Sequence, residues 1–301
     1  MLDLRRLRLL RELKRRGTLT AVADALSYSP STISQQLSQL EREVGVPLLE
    51  PDGRRLRLTP QAEILVEHTE AVLRQLAAAE SDIARSMTEL TGRVRISAFQ
   101  TVNLTLVPIM LTVLSEAYPR LRVEVVQADS ESALGAMVTH DFDLVIGEEY
   151  PGHPIARPAE LERVELCGDR VRLALPPGDA RHNLARLADQ PWVMEPPGSA
   201  SRRWSVELCR LAGFDPDVRY ETSDILVHKR LVEMGHAAAL LPDLIWFDQL
   251  PTVTLLRLPG DPHTRKLFTA TQRGRGGHPA IAACRDALRQ AVQRVGGAAR
   301  L

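Results

Sequence analysis

The stretch SPSTISQQLSQLEREVG, from Ser29 to Gly45, sets the tightest limit on what this chain can fold into. Turn residues open it. Ile33, Leu37, Leu40 and Val44 then recur at the three- and four-residue steps of a helix with one apolar face. The rest of the helix carries Ser31, Thr32, Ser34, Gln35, Gln36 and Ser38, hydroxyls and amides where a solvated helix usually carries Glu and Lys. The flanks tighten the constraint. LRRLRLLRELKRR (4–16) places Leu4, Leu7, Leu10 and Leu13 near helical spacing with arginines opposite, and Gly17 stops it. Thr18 or Thr20 caps a second helix, Ala21 to Leu26, and Tyr28-Ser29-Pro30 makes the next turn. After Gly45, LLEPDGRRLRLT carries Asp52-Gly53, a strong two-residue hairpin signal. Three short helices and a basic hairpin predict a winged helix-turn-helix over residues 1–59.

A recognition helix in a major groove reads base edges with hydrogen-bonding side chains, whereas long charges grip phosphate regardless of sequence. The hydroxyl and amide face suits that task. Pro30, Ser31, Thr32, Ser34, Gln35 and Gln36 are the candidate base readers, with Gln39 one turn further from reach. Arg5 and Arg8, with Arg54, Arg55 and Arg57 of the hairpin, are the candidate phosphate contacts. Net charge is zero for the whole chain, but it is unevenly spread. Residues 1–60 hold 11 Lys and Arg against 7 Asp and Glu, a net of +4, and residues 61–91 hold 2 against 6, a net of −4. A basic amino-terminal unit before an acidic segment points to double-stranded DNA.

Pro60 opens a long helix, 60–91, in which Ala62, Leu65, Val66, Thr69, Val72, Leu73, Leu76, Ala79, Ile83, Met87 and Leu90 keep one apolar stripe. A helix of that length with a narrow stripe needs a partner, and a second copy of the chain is the expected one. Thr91-Gly92 ends it.

From residue 92 strands and helices alternate: RVRISAF, a helix from Val102 to Tyr118, LRVEVVQA, a helix from Glu131 to His140, and FDLVIGEE. A second unit follows, with RVRLALPPG, WVMEPPG, a helix from Arg202 to Leu211, VRYET, a helix from Asp224 to Met234, and AAALLP. LFTATQRG and a helix from Pro279 to Val295 return to the first unit. The reading is an α/β domain over 92–301 in two lobes: lobe I about 92–165 and 269–301, lobe II about 166–268. Small ligands bind in crevices between such lobes, at strand carboxyl ends.

Other classes fit less well. Cys167, Cys209 and Cys284 are far apart, with no CxxC and no His at metal spacing, so neither a disulfide framework nor a metal site is expected, and a reducing cytosol fits. No apolar signal region follows the Arg-rich start and no 18-residue apolar run occurs, so neither export nor a membrane partner is expected. The eight histidines are scattered. HExxH, GxSxG and Walker signatures are missing, so an enzyme is not expected and no cofactor is implied. An exported binding protein would leave the basic amino-terminal unit unexplained. The serious alternative is a ligand-independent DNA binder, or one controlled by a protein partner or by redox chemistry.

GTLTAVADALSYSPSTISQQLSQLEREVGVPLL, followed by GRRLRLTPQAEILVEHTEAVL, resembles the LysR-type transcriptional regulators, and the resemblance extends over the whole chain. It implies a winged helix-turn-helix, a linker-helix homodimer that often pairs into a tetramer, and a two-lobed, periplasmic-binding-protein-like effector domain. It further implies an imperfect inverted repeat as target, a small-molecule effector, RNA polymerase as a candidate partner, and control of a neighbouring operon. Departures occur. Val22-Ala23 stands for two alanines, Pro30 for a Gln that commonly touches DNA, and Leu48-Leu49-Glu50-Pro51 for a motif ending in Arg, with Arg54 and Arg55 as replacements.

The resemblance also implies which segments line the effector cleft. Gln100, Thr101 and Val102 would offer a hydroxyl and backbone N–H groups at a helix start, suited to an anion. Ser130 matches a second frequent ligand-contacting hydroxyl. Pro197, Gly198 and Ser199 face them from lobe II, with Arg202 or Arg203 available to a carboxylate. Glu148 or Glu149 would meet an ammonium, while Ser223 and Asp224 cap a helix. The expected effector is anionic or zwitterionic.

Overall fold

The structure is a computed structural model. It describes residues 2–26, 28–52, 55–87, 89–138, 141–179, 183–258, 260 and 263–298. The chain divides into two compact units, Met1–Glu80 and Ser81–Leu301, with the boundary inside the long helix.

The first unit begins with α1 (Leu4–Arg16), α2 (Leu19–Leu26) and α3 (Pro30–Val44). Asp3 caps α1 by accepting from the Arg5 and Arg6 N–H groups. Ser29 caps α3 by accepting from the Thr32 N–H, and Pro30 fills the first-turn position where its missing N–H costs nothing. Gly17 and Gly45 end α1 and α3 at φ 74° and 79°, left-handed backbone that a side chain would strain. α2 starts at Leu19, two residues earlier than expected, because Thr18 is the residue that caps it, accepting from the Ala21 N–H. Leu7, Leu10, Leu13, Val22, Ala23, Ile33, Leu37 and Leu40 form one core with Leu48 and with Ala62 and Val66. The hairpin is β1 (Leu49–Asp52) against β2 (Arg55–Leu58), antiparallel with Leu49 opposite Leu58. Gly53 and Arg54 lie outside the described residues.

The long helix α4 runs Pro60–Ser86. Its 27 residues span about 40 Å. Thr59 starts it. The Thr59 hydroxyl donates to the Pro47 carbonyl and accepts from the Ala62 N–H, tying hairpin and helix together. The expected stripe divides. Ala62, Val66 and Thr69 are buried in the first unit, whereas Val72, Leu76, Ile83 and Met87 are exposed.

The second unit is built on a seven-stranded sheet in the order β10-β6-β11-β5-β3-β4, with β9 also pairing to β6. Its strands are β3 (Gly92–Ala98), β4 (Leu121–Gln127), β5 (Leu144–Glu149), β6 (Leu161–Leu175), β9 (Ala239–Pro242), β10 (Thr254–Leu256) and β11 (Thr264–Gln272). β3 pairs parallel with β4 and β5, as the alternation predicted, while β11 joins β5 antiparallel. The 15-residue β6 and its antiparallel partner β11 pass from one lobe into the other. Sequence reading found only the second half of β6, because its first half is polar and half-exposed. α5 (Gln100–Leu104), α6 (Leu106–Ala117) and α10 (Pro279–Ala298) pack one face of lobe I, and α7 (Ser130–Val138) packs the other. The single helix expected over Val102–Tyr118 is therefore two. Pro108 offers no N–H and crowds the carbonyl of residue 104, so the chain restarts at Leu106. Lobe II adds the parallel pair β7 (Pro191–Met194) and β8 (Asp217–Glu221), with α8 (Ala200–Leu211) and α9 (Ile225–Glu233). Among the described residues no helix is long and apolar enough to cross a membrane.

Candidate DNA-reading surface and effector cleft

The apolar row Ile33, Leu37 and Leu40 is fully buried, which fixes the roll of α3 and turns the opposite face outward. Pro30, Ser31, Ser34 and Gln35 are exposed there, and Thr32 and Gln36 are half-buried. Hydrogen bonds sort them further. The Ser31 and Thr32 hydroxyls each lie 2.8 Å from the Ser29 hydroxyl, folded back over the cap. The Gln36 carbonyl oxygen accepts from Arg6 Nε at 3.0 Å, and Arg6 also pairs with Glu43. Gln39 accepts from Arg42. Gln35 makes no side-chain hydrogen bond among the described residues, so it alone of the three amides keeps both its donor and its acceptor for a base.

The basic residues sort in the same way. Arg5 and Arg8 are exposed. Arg11, Arg15 and Arg16 instead surround Glu12. Burial alone would raise the Glu12 carboxyl, and the guanidinium groups outweigh it, so the group is held below its ordinary range. In the hairpin, Arg57 pairs with Glu50 at 2.5 Å, so its charge is partly answered inside the protein. Arg55 sits opposite Asp52 in the backbone register. Glu41 accepts from the Leu48 and Leu49 N–H groups at 2.8 and 3.1 Å, which pins the hairpin to the recognition helix. That contact was not foreseen, because nothing local marks a mid-helix Glu as a loop anchor.

In the second unit the expected ligand residues gather at the carboxyl ends of β3, β4, β5 and β7, but several are already committed. Val102 is fully buried in the core of lobe I, so its side chain is withdrawn from any ligand. Thr101 is buried as well, and α5 is five residues long, too short for the expected anion-binding dipole. The Ser130 hydroxyl accepts from the Glu148 N–H at 2.9 Å. Arg202 donates to the Glu195 carbonyl at 3.0 Å and pairs with Glu221 at 3.3 Å, so it is not the free carboxylate clamp expected of it. Arg203 reaches lobe I and pairs with Glu131 at 2.8 Å, and it also bonds the Gly198 carbonyl. Pro197 and Gly198 are exposed, and Ser199 caps α8 by accepting from the Arg202 N–H. Pro197, Gly198, Arg202 and Arg203 border an open furrow of about 430 Å³ along α8 with Val206, Glu207 and Arg210. Glu149 is taken by Arg157 and Arg163.

The residues that organise this region were not all foreseen. Arg265 on β11 is almost completely buried. It donates through Nε and Nη2 to Asp169 at 2.9 and 2.6 Å, through Nη1 to Glu148 at 2.5 Å, and its guanidinium stacks over Phe99. Burial alone would lower Arg265, but Glu148 and Asp169 outweigh it and hold the charge on. Burial pushes both carboxyls up against the pull of Arg265. Glu195, after β7, is pushed up to about 7, first by burial and then by the charge of Glu148, with a bond from Ser199 acting the other way. The charges of Glu148, Arg265 and Asp129 also act on it. Gln100 reaches lobe II: its Nε2 donates to Asp224 Oδ1 and its Oε1 accepts from the Ile225 N–H, both at 2.8 Å.

A helix-turn-helix with an amide-bearing face, on the same chain as a two-lobed α/β unit with a polar crevice, defines a ligand-responsive DNA-binding regulator. Residues 4–63 match the family model for the bacterial regulatory helix-turn-helix protein, lysR family, and residues 87–293 match that for the LysR substrate binding domain. The chain belongs to the LysR family of transcriptional regulators, and it is a regulator, not an enzyme. It is 27% identical over 262 residues to the transcriptional dual regulator GltC of Bacillus subtilis, covering 84% of this chain and 85% of that one. It is 28% identical over 236 residues to a probable hydrogen peroxide-inducible genes activator of Mycobacterium leprae, covering 75% and 73%. Among solved structures, full-length CbnR in complex with its target DNA aligns at TM-score 0.53 and 19% identity, covering 96% of this chain and 99% of that one.

Proposed function

We propose that the protein works in the cytoplasm as a homodimer, or a tetramer built from dimers, that reads an imperfect inverted repeat and is switched by a small effector bound between its two lobes. The observation that carries the DNA half is the exposed row Pro30, Ser31, Ser34 and Gln35, held outward by the buried row beneath it and flanked by exposed Arg5 and Arg8. Gln35 presents a donor and an acceptor side by side, the pair that matches adenine in the major groove. Two such helices related by a dimer axis place their half-sites about one DNA turn apart or a multiple of it. Arg55 of the hairpin and the Arg54 expected beside it add phosphate contacts on this reading, and RNA polymerase is the partner through which binding becomes control.

The effector half rests on the polar groups at the strand carboxyl ends. With Arg202 and Arg203 committed, and with the acids Glu148 and Glu195 at the strand ends, the crevice favours a zwitterionic molecule over a purely anionic one. Relatives that respond to peroxide make thiol chemistry the second reading, but the three cysteines argue against it. All are free thiols, and burial pushes Cys167 up to about 11 and Cys209 and Cys284 up to about 12.

Selection of binding sites from a random DNA pool tests the base-reading assignment. Gln35→Ala is expected to lose about 1–3 kcal/mol of discrimination at one position in each half-site, with affinity for nonspecific DNA retained. An unchanged consensus would remove Gln35 from the readout.

A further inference from the structure

Gln100 was expected to touch the effector, yet its carboxamide is already spent on the other lobe. Oε1 takes the Ile225 N–H, an amide in the first turn of α9 with no partner inside that helix, and Nε2 takes the carboxylate of the α9 cap, Asp224. The two partners lie 124 and 125 residues away along the chain, so both bonds report tertiary placement alone. The bond from Gln100 is the largest influence holding the Asp224 carboxyl below its ordinary range, and it does so in solvent.

Besides the buried Arg265–Glu148 pair at the crossing strands, two more exposed side-chain pairs join the lobes. Arg203–Glu131 has side chains 45% and 49% exposed, and an ion pair so hydrated contributes little. His153 meets Glu207 at 2.6 Å, with the Glu side chain 58% exposed. The Gln100 contact differs in kind, because a planar amide must meet a backbone N–H and a carboxylate oxygen together. Moving α9 away by about 1 Å takes both bonds past hydrogen-bonding range at once, so the contact is either made or lost.

We propose that Gln100 is the latch of the cleft: it holds lobe I to the first turn of α9, and lobe separation proceeds through its release. Gln100 is then a positioning residue that sets how readily the lobes open, and an effector entering the cleft acts against, or in support of, this contact. A ligand shifts such an equilibrium only by its difference in affinity for the two states.

Hydrogen–deuterium exchange on the full-length protein, without DNA or added ligand, tests this, so its outcome stands apart from that of the DNA-reading assignment. In Gln100→Ala, segments 100–107 and 222–230 are both expected to exchange at least about tenfold faster, since two bonds, one of them to a charged group, are lost together. Asp224→Ala keeps the bond to the Ile225 N–H and is expected to speed segment 100–107 by a smaller factor, about threefold. Segment 100–107 decides, because Asp224 caps nothing within it. Should Gln100→Ala fail to fold by circular dichroism, Asp224→Ala carries the test. Faster exchange in segment 222–230 alone would make Gln100 a mere cap of α9 and overturn the proposal, as would no change in either segment.

Discussion

At the scale of single residues, the cleft is governed by a charge count. Arg265 answers Asp169 and Glu148 together, one cation against two carboxylates, and Glu195 adds a third acid nearby. Taking charges out of water is costly, so burial pushes all three carboxyls up. Glu195 accordingly titrates near 7, well above an ordinary carboxyl. A folded-state pKa raised above the unfolded value gives a contribution that is fully present below about 4.5 and is lost as the pH rises through about 7. Glu195→Gln removes that loss. The variant is expected to match the wild type in thermal midpoint at pH 5 and to exceed it by a few degrees at pH 8, as read by calorimetry at both pH values. An equal difference at the two values would mean that the carboxyl titrates normally. Little of this cluster was legible beforehand. Arg265 sits in the polar stretch PHTRK, and its partners lie 96 and 117 residues away on other strands, so no local spacing announces them. Gln35 was legible for the opposite reason. Its outward position follows from helix periodicity alone, which is local.

At the scale of elements, the long helix shows where periodicity stops being informative. The sequence presents one continuous stripe, and a partner helix and the chain's own core demand the same apolar spacing. The structure separates the two uses: Ala62, Val66 and Thr69 are consumed by the first unit, while Val72, Leu76 and Ile83 stay 41–65% exposed on one face. Three large apolar side chains left in water along one helix face are what an association surface would need. Val72→Glu with Leu76→Glu is expected to weaken self-association at least about tenfold, because two carboxylates would then face their counterparts across a two-fold axis. Sedimentation velocity across a concentration series reads that change. Helical content should hold, since neither position belongs to a core, and unchanged association would place the dimer surface elsewhere. The break between α5 and α6 belongs to the same scale. Pro108 was visible in the sequence, but an amphipathic run continues through it, and only the backbone shows that the helix restarts at Leu106.

At the scale of the whole molecule, the open question is which kind of signal reaches the DNA. A thiol switch and a ligand switch share this architecture and differ in what the chain must supply. A thiol switch needs a thiolate, hence a cysteine with a depressed pKa and access to oxidant. Cys209 and Cys284 are fully buried in apolar clusters of different lobes, Cys167 is half-buried on β6, and burial raises all three above an ordinary thiol. At pH 7 a thiol of pKa about 11 is ionised only to about one part in ten thousand. A ligand switch needs two lobes that can move and polar groups between them. The crossing strands β6 and β11, the contact from Gln100 to α9 and the carboxylates around Arg265 supply those. A variant with Cys167, Cys209 and Cys284 all replaced by Ser or Ala is therefore expected to keep the wild-type footprint on the DNA upstream of its own gene. Peroxide is expected to leave the footprint of both proteins unchanged, while one small zwitterionic metabolite shortens or shifts it in both. A footprint that moves with peroxide in the wild type and not in the cysteine-free variant would reverse that reading and put thiol chemistry in control.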